Sequence, residues 1–283
     1  MSPRDTAADP VEVVTTRGTN MEMGVRRFGR WNALGTMTLA EREIRRFWSI
    51  WAQTVMGPLI NAGLFLAVFA IAIGPTRGDV MGVPYVQFIA PGLLMMTVIQ
   101  NAFANTSSSL LAAKVQGNIV DTLMPPLAPL EMLLGYLAGG VARGGLVAVA
   151  IGAVMVLFIG TGLAHPLVAL LFILLGAAMM GMLGILAGIY ATKFDQMSAI
   201  TNFIITPLSF LSGTFYSIQS LPPALEAASH LNPFFYLIDG VRYGTLGTSD
   251  ASPLLGAVVC IVVTGLLGVL AWRWLQSGYR LKS

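Results

Sequence analysis

The stretch HPLVALLFILLGAAMMGMLGILAGIYA, residues 165–191, decides the fold. It holds no Asp, Glu, Lys or Arg, and it exceeds the roughly 20 apolar residues that a helix needs to cross a bilayer core of about 30 Å. Working outward, TKFD (192–195) is long enough only for a tight polar turn, and residues 196–216 form another apolar window. Further windows lie at about 55–74, 86–108 and 132–160 upstream, and at 254–275 downstream. The expectation is an all-α integral membrane protein with six transmembrane helices. Composition agrees: 55% of the 283 residues are hydrophobic and only 10% are charged, with a mean hydropathy of +0.76. A soluble domain carries about 25% charged residues.

The charges that remain are sorted by position. With the amino terminus in the cytosol, 13 of the 16 Lys and Arg fall in cytosolic segments, and only Arg77 and Arg242 in outer loops. The positive-inside rule therefore places both termini in the cytosol. Residues 1–36 are polar and have no apolar run of signal-peptide kind, so a disordered cytosolic tail is expected there. Next comes MTLAEREIRRFWSIWA (37–52), which puts Ala40, Ile44, Phe47, Trp48 and Trp51 on one helical face and Arg42, Arg45 and Arg46 opposite. Arg on one face and Trp on the other describe an interfacial helix in the headgroup plane, the alternative being a cytosolic extension of the first spanning helix. A bend is expected at Gly57-Pro58.

Two loops carry more than a connector needs. In AAKVQGNIVDTLMPPLAPLEM (112–132), on the cytosolic side, a helix of about three turns can form before Pro125-Pro126 stops it. Val115, Ile119 and Leu123 would then make one stripe, with Lys114, Asn118 and Asp121 beside it. This is either a docking knob for a cytosolic partner or an ordinary loop stiffened by prolines. SGTFYSIQSLPPALEAASHLNPFFYLIDGVRYGTLG (212–247), on the outer side, is too apolar for a free loop and too broken by Pro222-Pro223 and Pro233 to span. Short re-entrant helices fit it, with Asp239 and Arg242 three apart and able to pair. Arg143 stands inside a span between Gly139-Gly140 and Gly144-Gly145. Exposed to lipid it would cost roughly 2.5–3.5 kcal/mol. It faces either a substrate path and the bundle interior, or bonds backbone carbonyls and snorkels to headgroups.

Much chemistry is missing. The lone Cys260 permits no internal disulfide, and His165 and His230 lie in no metal-binding spacing. There is no basic stripe for nucleic acid. Ser212-Gly213 lacks the context of an intramembrane serine protease, and no Walker A loop surrounds Lys114, Lys193 or Lys282. The chain does not read as an enzyme.

PLSFLSGTFYSIQSLPPALEAASHLNPFFYLIDGVRYG (207–244) resembles the signature of type-2 permeases of ATP-binding-cassette (ABC) exporters. The matching positions are Pro207, Ser212, Gly213, Phe215, Leu221, Pro222, Asn232, Pro233, Tyr236 and Arg242. KVQGNIVDTLMPPLAPLEMLLGY (114–136) resembles the family's cytosolic coupling segment, and the likeness extends over about 37–283. FIAPGLLMM (88–96) and GGVARG (139–144) further resemble a subgroup of bacterial inner-membrane permeases. The resemblance implies a bacterial inner-membrane subunit with six spans, cytosolic termini and a coupling helix that meets the ATPase. It also implies a homodimer associated with two copies of a separate ABC ATPase subunit. ATP and Mg would bind there, leaving this chain without a cofactor, and an amphipathic or lipid-linked substrate would move outward through the bilayer. An ion-coupled secondary transporter or channel is the alternative, but it wants buried acids or histidines in its spans, where this sequence offers only Arg143. A membrane scaffold that has lost transport is a third.

Overall fold

The computed structural model describes residues 31–281. Its helices run in the order α1 (Ala33–Trp48), α2 (Trp51–Ala72), α3 (Gly74–Arg77), α4 (Tyr85–Val115), α5 (Ile119–Leu123) and α6 (Pro129–Val154). They continue with α7 (Pro166–Tyr190), α8 (Phe194–Ile200), α9 (Thr206–Phe210), α10 (Pro223–His230), α11 (Pro233–Leu246) and α12 (Pro253–Ser277). Five of these begin on the prolines at 129, 166, 223, 233 and 253. A first-turn N–H has no helical partner to lose, and the fixed φ of proline suits the helix start. A small hairpin, β1 (Asp79–Val80) with β2 (Val83–Pro84), joins α3 to α4.

Among the described residues, five helices are long and apolar enough to cross a membrane: α2, α4, α6 with its π-helical extension to Ile159, α7 and α12. The window at 196–216 is built differently. There α8, a π-helical turn at Thr201–Ile205 and α9 follow one another without a break, and the helix ends at Phe210. Residues 211–216 turn away instead of extending it.

Helix α4 is the axis of the bundle, with Phe88, Ile89, Met95, Ile99, Phe103, Leu110 and Leu111 all buried. Lipid tails are as apolar as leucine, so close packing and interhelical hydrogen bonds must hold such helices together. Against α7, Thr106 Oγ1 donates to the Gly181 carbonyl at 2.9 Å. At Gly184 a Cβ would stand 2.6 Å from the Phe103 carbonyl oxygen, a clash with backbone that only glycine avoids. The outside is apolar instead: Ile60, Leu64, Val68 and Ile71 on α2 and Leu254, Ile261 and Leu266 on α12 are exposed. Such continuous apolar faces suit a lipid surround rather than water.

The amino-terminal helix departs from expectation. It starts at Ala33, because Asn32 Oδ1 accepts the Gly35 N–H at 2.9 Å and caps it. The break before the first span comes at Ser49-Ile50, ahead of Gly57-Pro58, so Trp51 opens α2 and is not part of the interfacial helix. Pro58 lies inside α2. The face of α1 that packs on the bundle carries Leu39, Glu43 and Phe47, while Ile44 and Trp48 point outward. Arg46, expected on the solvent face with Arg45, turns inward. Most of the tail expected at 1–36 lies outside the described residues.

Candidate functional site

A polar knot joins α1 to the end of the bundle where α5 lies. Glu43 is 1% exposed. Its carboxylate accepts from Arg42 Nη2 at 3.1 Å, Arg46 Nε at 3.3 Å and Ser109 Oγ of α4 at 2.8 Å. Arg46 Nη2 also donates to the carbonyl and side-chain oxygens of Asn105 at 2.7 and 3.0 Å. Arg42 reaches in two further directions, from Nη1 to Thr122 Oγ1 of α5 at 2.9 Å and from Nη2 to Tyr136 Oη of α6 at 3.3 Å. Burial would lower the Arg42 pKa, but Tyr136 and Glu43 raise it and the balance is upward, so the guanidinium keeps its charge. Glu131 at the start of α6 adds a second tie. Its two carboxylate oxygens accept the N–H groups of Asn32 at 2.6 Å and Ala128 at 2.7 Å. Helix α1, the short α5 and the long helices α4 and α6 are thus one hydrogen-bonded unit.

The segment expected to be a three-turn helix is two pieces. Gly117 at φ +76° ends the run from α4, a conformation L side chains rarely adopt, and α5 starts afresh at Ile119. Val115 therefore belongs to α4, and the stripe Val115–Ile119–Leu123 does not exist as one face. Ile119 is buried, Leu123 half-buried, and Asn118 and Asp121 exposed. Lys114 is not on the docking face: Nζ donates to the carbonyls of Gly188 (3.3 Å), Ile189 (2.6 Å) and Ala191 (2.7 Å), closing the end of α7. The apolar side chains that protrude are Val115, Val120 and Met124, the last 77% exposed. Clefts of about 450 and 480 Å³ flank α5, one toward α1 and one toward Leu281.

A second polar knot occupies the opposite end. Asn232 explains its own motif: Oδ1 caps α11 by accepting the Phe234 N–H at 3.1 Å, while Nδ2 donates to Leu208 O at 3.2 Å and Ser212 Oγ at 2.8 Å. Pro233 supplies the first turn. Pro222 precedes α10 and its carbonyl accepts from Leu225 and Glu226, and Tyr236 is buried beside Phe235 and His230. Arg242 is fully buried, not a loop residue. Nη2 donates to Gly213 O at 2.6 Å, Nη1 stands 3.6 Å from Asp239 and 3.7 Å from Asp250, and the guanidinium lies 4.0 Å from the Phe88 ring centroid. The Asp239 pairing is the one expected from spacing. Asp250 was missed, because it comes from the loop before α12, where sequence gives no register. Arg143 sits on α6 with Nε and Nη2 both on Asn101 Oδ1 of α4, at 3.3 and 3.2 Å. Among the described residues no cluster of three His, Cys, Asp or Glu side chains could hold a metal.

Residues 35–246 match the family profile described as ABC-2 type transporter. The chain is 39% identical over 242 residues to the inner membrane transport permease YadH of Escherichia coli, covering 86% of this chain and 94% of that protein. Nodulation protein J of Rhizobium leguminosarum bv. viciae is 27% identical over 232 residues, 77% of this chain and 87% of its own length. A matched stretch that runs from within α1 to the end of α11, three quarters of the chain, makes this chain a member of the ABC-2 type transporter family.

Proposed function

We propose that this permease-type subunit works as the membrane half of an exporter, coupled through α5 to ATP hydrolysis on a separate ABC ATPase chain. In this reading two copies of the subunit pair with two ATPases in a bacterial inner membrane. The termini lie in the cytosol, with α8, the π turn and α9 as a shortened sixth span and α10–α11 as the outer re-entrant pair. The observation that carries the proposal is the protruding Val120 and Met124 on an α5 that is tied by Thr122 to Arg42, and through Glu43 to α4. A push on α5 is then passed to the interfacial helix and the central span by hydrogen bonds rather than absorbed by a loose loop. The chain needs only two arrangements with different affinity for cargo and for the ATPase. An amphipathic or lipid-linked molecule is the cargo class that fits a bundle with a largely apolar outer surface and a polar groove among its spans. The test is affinity purification from membranes in mild detergent: an ATP-binding chain should co-elute in equal amount, and a complex without one would sink the proposal.

A further inference from the structure

Among the cavities outside both knots and away from α5, one carries a charged side chain. It is a groove of about 650 Å³ at the depth of the spans, walled by α2, α4 and α6. Its lining is mixed: Phe65 and Leu93 are apolar, while Asn61, Gln100, Asn101 and Arg143 are polar. These three amides carry no charge and cannot neutralise a guanidinium. Arg143 makes no ion pair among the described residues, and the Glu43 carboxylate pairs with Arg42 and Arg46 instead. Its two bonds both fall on Asn101 Oδ1, so three of the five guanidinium N–H groups have no acceptor among the described residues. Asn101 is itself held, with Nδ2 donating to Thr97 O at 3.0 Å, and so aims a fixed oxygen at Arg143. The groove's wall is apolar at Ile50, Phe65 and Leu93, and Ile50 and Phe65 are exposed on the surface beside it. A cation with spare donors, set in amides and bordered by exposed apolar side chains, matches one ligand chemistry: an anionic phosphate or carboxylate head on a hydrocarbon chain.

We propose that this groove binds the anionic head group of an amphipathic molecule through Arg143, with Asn101 orienting the guanidinium and Asn61 and Gln100 lining the head-group pocket. The inference names a substrate class for the transport reading above and rests on it.

The experiment is native mass spectrometry of the full chain in maltoside micelles, offered dioleoyl phosphatidic acid or dioleoyl phosphatidylcholine at equal mole fraction. Inorganic phosphate serves as the competitor. Wild-type protein is expected to retain the phosphatidic acid about tenfold better, and Arg143→Gln to lose that preference. Arg143→Lys should keep part of it. Asn61→Glu leaves the arginine in place, supplies an internal carboxylate to the groove, and should abolish the preference even if Arg143→Gln does not fold. Arg273→Gln on the exposed side of α12 controls for lipid bound around the rim and should change nothing. Undiminished preference in Arg143→Gln or Asn61→Glu overturns the site, as does an equal loss in Arg273→Gln. Full competition by millimolar phosphate overturns the amphiphile and leaves a free-anion site. Dissociation of a dimer in Arg143→Gln also overturns the site, by assigning the arginine to a subunit contact. ATPase co-elution is read on the same preparations. Its absence sinks the transport reading alone, whereas lost lipid preference with the ATPase still attached sinks only the groove.

Discussion

Replacing Glu43 with Gln removes one buried charge while keeping its shape, and so probes whether the α1 knot holds the subunit together. The Ser109 bond is buried and ends on a charged acceptor, a type worth about 1.5–3 kcal/mol. Arg42 and Arg46 contribute less, because their side chains are 47% and 36% exposed and water screens them. Exposed pairs are worth roughly 0.2–1 kcal/mol each. A glutamine can still accept from one neighbour, so the net cost is about 2–3 kcal/mol, with the Ser109 bond as its largest part. At roughly 2–4 °C per kcal/mol for a chain of this size, the Tm in detergent should fall by about 4–12 °C. The double variant Glu43→Gln with Ser109→Ala should cost less than the sum of the two by about 1 kcal/mol, the mark of a direct interaction. Because Glu43 also connects α5 to α4, ATPase stimulation in the reconstituted complex should fall by more than the loss of folded protein explains. An unchanged Tm with unchanged stimulation would refute the knot as a structural and transmitting element.

The other expectations follow from the same geometry. Val120→Asp with Met124→Asp alters only exposed side chains, so Tm should stay within about 1 °C while capture of the ATPase chain fails. Lys114→Met withdraws three bonds from the end of α7 and should cost about 1–3 kcal/mol, read as a lower Tm, with ATPase capture intact in the protein that folds. Arg242→Met leaves Asp239 and Asp250 buried without their cation, a loss of about 3–5 kcal/mol, so a strong drop in membrane-inserted, trypsin-resistant protein is expected.

The long apolar helices were legible because an uncharged window of spanning length has few other stable forms in a membrane protein. The α10–α11 pair was legible for a related reason, since Pro222-Pro223 and Pro233 forbid one continuous helix. What failed were the faces assigned to α1 and to residues 115–123. Glu43 and Arg46 look like solvent-side charges when α1 is taken alone. They turn inward because each finds a partner on α4, which local periodicity cannot reveal. The stripe Val115–Ile119–Leu123 needs 100° per residue straight across Gly117, and that one left-handed residue rotates everything after it. The Gln-Gly-Asn turn at 116–118 was the available signal. Lys114 illustrates a third limit. Its partners are carbonyls some 75 residues away, and carbonyls leave no mark on side-chain pattern. Arg143 was visible as an intramembrane charge, but its setting in an amide-lined groove required α2 and α4 to be in place.

Cross-linking from α5 tests the central claim, that this subunit receives ATP-driven motion at that end of the bundle. A photoreactive residue at position 120 is compared with one at position 225, an exposed leucine on α10. Irradiation in native membranes should join the chain to an ATP-binding protein from position 120 and not from position 225. Attachment from position 225, or from neither position while transport continues, would contradict the account.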